Sequence, residues 1–518
     1  MGSAVTDWQA SAADETSAST DSLSTSSGSQ QLHRGLRARH LNMIAIGGAI
    51  GTGLFVASGG TISQAGPGGA LVAYALIGIM VFFLMQSLGE MAAYMPVAGS
   101  FGEYGTRFVS PSFGFAMGWN YWFNWAITVA AELVAAGLVM KFWLPDVPMW
   151  IWSAIFLVIL FTINALSARA YGEGEFWFAL IKVITVIVFL VVGVLMIVGI
   201  LGGTSPGFSN WVVADPHNGT QAPFVGGALG ILAVFMIAGF SFQGTELIGV
   251  AAGEAENPSV SIPKAIKSVF WRILLFYILA IAVIGFLIPY TDPNLLNASD
   301  TGDITIAPFT LIFAKSGLVG QAVIASVMNA VILTAVLSAG NSGLYASTRM
   351  LYALAENHQA PHIFAKLNNR GVPMTALVGT TVIALLCFLS YVFGEDSAYT
   401  WIVNASGLAG FITWVGIAWC HLKFRKAYTT QGHDLAELPF RAKLYPAGPI
   451  IALVMCVLVI IGQNTEALLG RSDFLQLLSS YIGLPLFLLL WAGHKLITRS
   501  PKIDPAKADL SVHEANKA

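Results

Sequence analysis

Glu132 stands inside an otherwise apolar run and shares its helix face with other polar groups. Tyr121, Asn124, Thr128 and Glu132 follow i, i+3, i+7, i+11 spacing, which aligns them along one side of a helix. A carboxylate on such a stripe offers a counter-charge to a cationic side chain, with Tyr121, Asn124 and Thr128 lining the approach. Two other readings stay open: a carboxylate that carries a proton, and one that ties helices together. A second charge, Lys182, lies in Leu180-Ile181-Lys182-Val183-Ile184. Its ammonium either snorkels to an edge or stands as a fixed or titrating cation where a sodium ion would otherwise sit. Glu246 and Glu254 belong to a third apolar segment. Desolvation raises the pKa of a glutamate toward the range where it carries protons, so both are candidates for proton coupling or gating. For Glu254 the competing reading is an ion pair with Lys264 or Arg272.

Two glycine-rich stretches interrupt the helices that would position these groups. One is Ile46-Gly47-Gly48-Ala49-Ile50-Gly51-Thr52-Gly53 and the other Gly239-Phe240-Ser241-Phe242-Gln243-Gly244-Thr245-Glu246. Glycine lets the chain leave helical geometry, and a half-helix starting beyond the break presents N–H groups and a positive dipole end to an anion. Gly51, Thr52 and Gly53 are therefore candidates for a carboxylate. Unwound carbonyls at Phe240 and Ser241 could accept from an ammonium group, and Phe240 or Phe242 could cover a ligand as a gate. Close packing of small residues is the competing reading, since Gly47 and Gly51 also have the Gly-x-x-x-Gly spacing of helix contacts. Ser338, Asn341, Ser342 and Tyr345 in one later segment, and Asn404 and Ser406 in another, are polar positions suited to lining a cavity.

The 518 residues are 56% hydrophobic and only 10% charged, against roughly 25% charged in soluble domains. This is the composition of a polytopic membrane protein. With about 20 apolar residues needed per crossing, twelve spans are expected, at about 42–62, 68–94, 114–143, 149–167, 174–201, 224–253, 266–289, 318–353, 374–394, 398–421, 446–464 and 474–497. The breaks fall in the first and sixth. An interrupted helix in hydrocarbon survives only beside protein or a watery cavity, and paired breaks opening two halves point to a transporter's binding site. The expected fold is an all-α bundle built from a 5+5 inverted repeat, residues 35–421, with helices 11 and 12 appended at 446–497 after a cytoplasmic loop at 422–445. Residues 1–34 and 498–518 read as polar cytoplasmic tails, the first disordered.

Arg34, Arg37 and Arg39 precede the first span, and Lys423, Arg425, Lys426, Arg441 and Lys443 cluster in one later loop. The positive-inside rule then places both termini in the cytoplasm. A net charge of −2 gives no electrostatic case for nucleic acid. Cys387, Cys420 and Cys456 lie in apolar runs without metal-ligand spacing and read as small core residues. No phosphate-binding loop, metal constellation or hydrolase elbow occurs, so no cofactor and no enzymatic activity are expected. The bilayer is the expected surrounding partner.

MIAIGGAIGTGLF, SLGEMAAYMPVAGSF, FSFQGTELIGVAAGEAENP and SAGNSGLYASTRMLYALA resemble the amino acid permeases of the amino acid–polyamine–organocation superfamily. Within them the chain is most similar to the lysine-specific permeases of bacteria, over roughly residues 35–497. The resemblance implies alternating access and proton-coupled uptake of L-lysine across a bacterial inner membrane, with protons as the coupling ion. It assigns the α-carboxylate to Gly51, Thr52 and Gly53, and the α-amino group to carbonyls at Ala49 and Phe240. It makes Phe240 the gate, Lys182 the cation at a sodium-site position and Glu246 the pH-responsive carboxylate. Permeases for neutral aromatic amino acids also carry Glu in this part of helix 3, so arginine, ornithine or an aromatic amino acid is the alternative cargo. Some lysine permeases also contact a membrane-bound transcription regulator, and whether this chain does so stays open. An amino acid sensor without net flux is the alternative function class.

Overall fold

The computed structural model describes residues 36–511, apart from 48–49, 56, 98, 218, 296–306, 318–319, 394, 465–469, 471–476 and 478–479. Side chains at 45–47, 52, 321–322, 392–401 and 403–404 also lie outside the description. The unit from Leu32 onward is helical. Its helices are α1 (Ala38–Gly47), α2 (Thr52–Phe55), α3 (Ala57–Tyr94), α4 (Ser100–Phe108), α5 (Pro111–Met140), α6 (Met149–Leu166) and α7 (Ala168–Ile197). There follow α8 (Gly227–Ala233), α9 (Phe235–Phe240), α10 (Leu247–Ala251), α11 (Pro258–Arg272) and α12 (Leu279–Leu287). The remainder are α13 (Pro308–Lys315), α14 (Gln321–Glu356), α15 (Met374–Ala384), α16 (Leu389–Phe393), α17 (Glu395–Thr430), α18 (Ala447–Gly462) and α19 (Gly483–Thr498).

Among the described residues, eight helices are long and apolar enough to cross a membrane, and three shorter apolar ones lie at Gly227–Phe240, Ala447–Gly462 and Gly483–Thr498. The first of the long ones, α3, is bent at Gly66, whose φ of 74° and ψ of 168° leave helical geometry. A Cβ there would lie 2.6 Å from the Pro223 carbonyl oxygen. That same oxygen accepts from Gly68 N at 2.9 Å and Gly69 N at 3.1 Å, satisfying donors that a helix start leaves open. A loop carbonyl thus caps the resumed helix, and the expected boundary between spans one and two falls at this bend.

Helix α5 begins with Ser110, whose hydroxyl accepts from Phe113 N, and Pro111, a start that needs no upstream partner. It packs on α4, α6, α14, α17 and α19 and is the most enclosed of the long helices. Helix α7 is capped in the same way by Ser167. On its outer side Ile184, Ile187, Val188, Val191 and Val194 stay exposed, the apolar face that lipid covers. Two ends differ from expectation. Helix α17 continues to Thr430 rather than ending near 421. The segment after α19 is held in place as far as Ser511: Ile503 N donates to Val109 O, Tyr94 Oη to Leu510 O, and Gln431 Nε2 to the Pro505 and Ala508 carbonyls.

Glu90 of α3 is fully buried and receives both arms of Arg425 from α17, with Nη2–Oε2 at 2.6 Å. Ala442 N donates to it at 2.6 Å, His421 Nε2 lies 3.2 Å away, and the Arg425 guanidinium rests 4.7 Å from the Tyr445 ring centroid. Removing one partner of a buried pair leaves the other charge uncompensated, typically at a cost of about 3–5 kcal/mol. Glu90→Ala is expected to lower the thermal midpoint of the purified protein sharply. Deletion of residues 500–518 should lower it less, since half-exposed hydrogen bonds contribute about 0.5–1.5 kcal/mol each. Equal midpoints for wild type and Glu90→Ala would refute the clamp.

Candidate functional site

The two interrupted helices meet. Helix α1 ends at Gly47, Ile50 and Gly51 are non-helical, and α2 starts at Thr52. In the second segment α9 ends at Phe240, turns carry the chain through Gly244 at φ 95°, and α10 starts at Leu247. A Cβ on Gly53 would lie 2.5 Å from Ser241 Cα and 2.8 Å from its Oγ. No side chain fits between the two backbones there. Gly51 is less crowded, with Ala339 Cβ of α14 at 3.6 Å from its notional Cβ. Ala49 and the Thr52 side chain lie outside the described residues.

Ser241 also hydrogen-bonds Tyr74 Oη of α3 at 3.0 Å. Phe240, partly buried, accepts from Gln243 N at its carbonyl. Phe242 is fully buried and stacks on Tyr277 with ring centroids 4.0 Å apart, beside Tyr74. Its ring therefore packs the break against α3 and the helix through Tyr277, while Phe240 is the aromatic side chain left partly open. Gln243 Nε2 donates to Gly407 O of α17 at 3.0 Å. Glu246, buried, accepts from Gly244 N and from Trp414 Nε1 of α17, the latter at 3.2 Å.

The α5 stripe faces α17 and α14. Ser406 of α17 donates to Asn124 Oδ1 at 3.0 Å and meets Thr128 Oγ1 at 2.6 Å. The Asn124 amide nitrogen is buried without a protein partner, an orphaned donor of the sort that a ligand or water satisfies. Tyr121 is fully buried, edge-on to Phe101 at 4.6 Å. Glu132 is 5% exposed and lies under Gly340 of α14, whose notional Cβ would be 3.6 Å from Glu132 Cβ. The side chain of Asn404 lies outside the described residues.

Lys182 is fully buried and does not snorkel. Its Nζ donates to Ser338 Oγ of α14 at 2.8 Å, and Ser338 Oγ donates to Glu175 Oε1 at 2.6 Å. The ammonium and that carboxylate oxygen are 3.8 Å apart. Asn341 and Ser342 extend the polar seam. Asn164 of α6 donates to Asn341 Oδ1 at 2.9 Å, and Tyr171 Oη lies 3.3 Å from Ser342 Oγ.

Glu254 requires a correction. Its partner is neither Lys264 nor Arg272 but Arg349 of α14, with Nε–Oε1 at 2.7 Å, and Tyr345 Oη donates to the same oxygen at 3.0 Å. Tyr345 stacks face to face on Tyr171 at 3.9 Å. The chain ahead of α1 joins this closure: Leu36 N donates to Glu254 O and Glu256 N to Leu36 O, both at 3.1 Å. Sequence reasoning passed over Glu175, Glu90 and Arg349. Glu175 had a readable signal, since it stands at i, i+7 from Lys182 on one helix face. Arg349 and Glu90 had none beyond being charges near segment ends.

These placements set two broken backbones against each other, with buried carboxylates and an ammonium on the helices around them. The sequence matches the amino acid permease family over residues 40–504. The chain belongs to that family. This permease is 60% identical to the lysine-specific permease LysP of Escherichia coli (strain K12), over 90% of this chain and 94% of the relative. It is 53% identical to the lysine-specific permease LysP of Lactococcus lactis subsp. cremoris (strain MG1363), over 95% and 96%. It is 49% identical to the histidine permease HisP of the same organism, over 93% and 98%. It is thus a multi-pass transport protein and not an enzyme. Gly53→Ala is expected to force the breaks apart and abolish substrate binding, measured by equilibrium binding of labelled amino acid. Gly51→Ala, meeting only ordinary contact, should retain binding within about tenfold. Normal binding by Gly53→Ala would separate the contact from the site.

Proposed function

We propose that this permease takes up L-lysine across a bacterial inner membrane by alternating access, driven by protons. The observation that carries the reading is the set of buried charges packed on α14: the Lys182–Ser338–Glu175 chain, and Glu132 of α5 against Gly340. Glu132 shares a buried polar face with Asn124 and Thr128, and we assign it the role of meeting a ligand ammonium or a proton. Lysine brings that ammonium. The names of the two lysine-specific relatives support the same cargo. Likeness to a histidine permease supports a selectivity set by few side chains, with Glu132, Asn124 and Thr128 the ones we assign to it.

The backbone around Gly51, Thr52 and Gly53 takes the α-carboxylate, and carbonyls at Ala49, Phe240 and Ser241 take the α-amino group. Phe240 covers the ligand. Glu246 carries or gates the proton, while Glu254 with Arg349 and Tyr345 holds one mouth of the path closed. Ser338, Asn341, Ser342, Asn404 and Ser406 line the cavity. We read the helices as twelve spans in a 5+5 inverted repeat plus two, with both termini cytoplasmic. Residues 35–421 form the transport core in this reading. No cofactor is required, and a membrane-bound transcription regulator is a further candidate partner. Each charge crossing inward gains about 2.3 kcal/mol per 100 mV of membrane potential, a gain that lysine and the proton both receive.

Labelled lysine uptake into proteoliposomes under an inward proton gradient tests this. Wild type should concentrate lysine and be blocked by unlabelled lysine. Lys182→Ala should lose accumulation while retaining binding. Glu132→Gln should raise the lysine Kd roughly tenfold or more, the scale of a lost hydrogen bond to a charged group. Unchanged lysine binding by Glu132→Gln would overturn its assignment. Lysine-dependent thermal stabilisation without uptake would favour a sensor.

A further inference from the structure

Arg272 is assigned no role by the reading above, yet it is the charge whose position is hardest to explain by packing. It lies near the middle of the apolar span Pro258–Leu287 and its side chain is 1% exposed. A cation at that depth is costly and usually functional. The helix changes character at this residue: Ile273–Ile278 form a π-helical segment directly after it. Such segments are rare and concentrate at functional sites. Helix α3 closes on the segment, since a Cβ at Gly78 would lie 2.7 Å from Ile273 Cγ2. Tyr277, one turn further, carries the Phe242 stack.

The guanidinium reaches the second helix break. Arg272 Nη2 donates to Thr245 Oγ1 at 2.7 Å, and Thr245 Oγ1 donates in turn to Phe242 O. The two bonds form a chain from helix α11 into the turn between α9 and α10. Gln243 and Glu246, on either side of Thr245, are bound instead to α17 through Gly407 O and Trp414. The turn is therefore held from two sides, and Arg272 supplies the α11 side. Arg272 and Glu246 also act on each other's charge. Ser241, whose backbone touches Gly53, immediately precedes Phe242.

We propose that Arg272 is a positioning residue for substrate binding, fixing the turn through Thr245 and the Phe242 carbonyl so that the Phe240–Ser241 backbone meets the first break in register. Its action runs through the turn and not through contact with the cargo. The inference rests on the proposed lysine reading.

The test is equilibrium binding of labelled lysine to purified full-length protein, with the ligand-free thermal midpoint recorded for each variant. Arg272→Gln and Thr245→Val should each raise the lysine Kd roughly ten- to a hundredfold, as expected for loss of a hydrogen bond to a charged group. Because both cut one chain, the double variant should bind no more weakly than the weaker single variant. Thr245→Ser, which keeps the hydroxyl, should restore binding. Arg272→Lys, which keeps the charge and a donor but loses the planar fork, should fall between wild type and Arg272→Gln. A wild-type Kd in Thr245→Val, no rescue by Thr245→Ser, or fully additive effects would overturn the proposal. Lowered midpoints with unchanged Kd would make Arg272 a packing residue only. Failure of the wild type to bind lysine would instead count against the lysine reading.

Discussion

The structure depends on how a body surrounded by hydrocarbon keeps charges inside it. An ionised group near the bilayer centre costs about 2.5–3.5 kcal/mol on the most lenient scale, and a partner group offsets that cost only with close geometry. Among the described residues, buried charges meet this condition in four assemblies, three of which join helices distant in sequence. Glu90 and Arg425 tie α3 to α17, and Glu254 and Arg349 tie the end of the second broken helix to α14. Glu175, Ser338 and Lys182 tie α7 to α14, and Arg272 ties α11 to Thr245. Without water to solvate a stray charge, these pairings select which helices can be neighbours.

The broken backbones obey the same constraint at the level of peptide groups. Unwound chain in apolar surroundings needs partners for each N–H and C=O. The turn after α9 finds them locally: Phe242 N donates to Gly239 O, Gln243 N to Phe240 O, and Glu246 accepts from Gly244 N. Glu246 thus ties the turn that precedes the resumed helix, with Trp414 donating from α17. A carboxylate so engaged is tied to backbone geometry, so a change in its protonation would change what holds the turn. On the proposed reading, that is how a proton could reach the binding site without touching the cargo.

The helices and their breaks were legible in the sequence because hydropathy and glycine clustering act locally. The start of α5, the interruption at Gly47–Gly51 and the turn at Gly239–Glu246 lie close to where the residues place them. The contact of Gly53 with Ser241 was not legible, because it depends on two segments far apart in the chain. Charge partners were read least well. Lys182 was singled out by its apolar surroundings, but its carboxylate partner was not, and Glu254 was expected to pair with Lys264 or Arg272 when Arg349 holds it. Sequence neighbourhood favours local pairs, whereas a buried side chain pairs across helices. The segment after Thr498 reads as a polar tail by composition, and its docking was not legible there: backbone carbonyls at Pro505, Ala508 and Leu510 are all engaged by the helical body.

Selectivity within the family follows from the same accounting of charge. A histidine permease and two lysine-specific permeases share about half or more of their residues with this chain, so one scaffold serves cargo with different side chains. On the proposed reading, backbone groups at the two breaks recognise what all amino acids have in common and need no particular side chain to do so. What distinguishes one cargo from another must come from side chains facing the cavity. Around Glu132 these are few: Asn124 and Thr128 are already joined to Ser406, and Gly340 of α14 lies close against Glu132. On the proposed reading a cationic side chain engages Glu132 against α14, the helix that Ser338 joins to Lys182 and Glu175 of α7, a coupling of cargo to helix α7 that a neutral side chain would not produce.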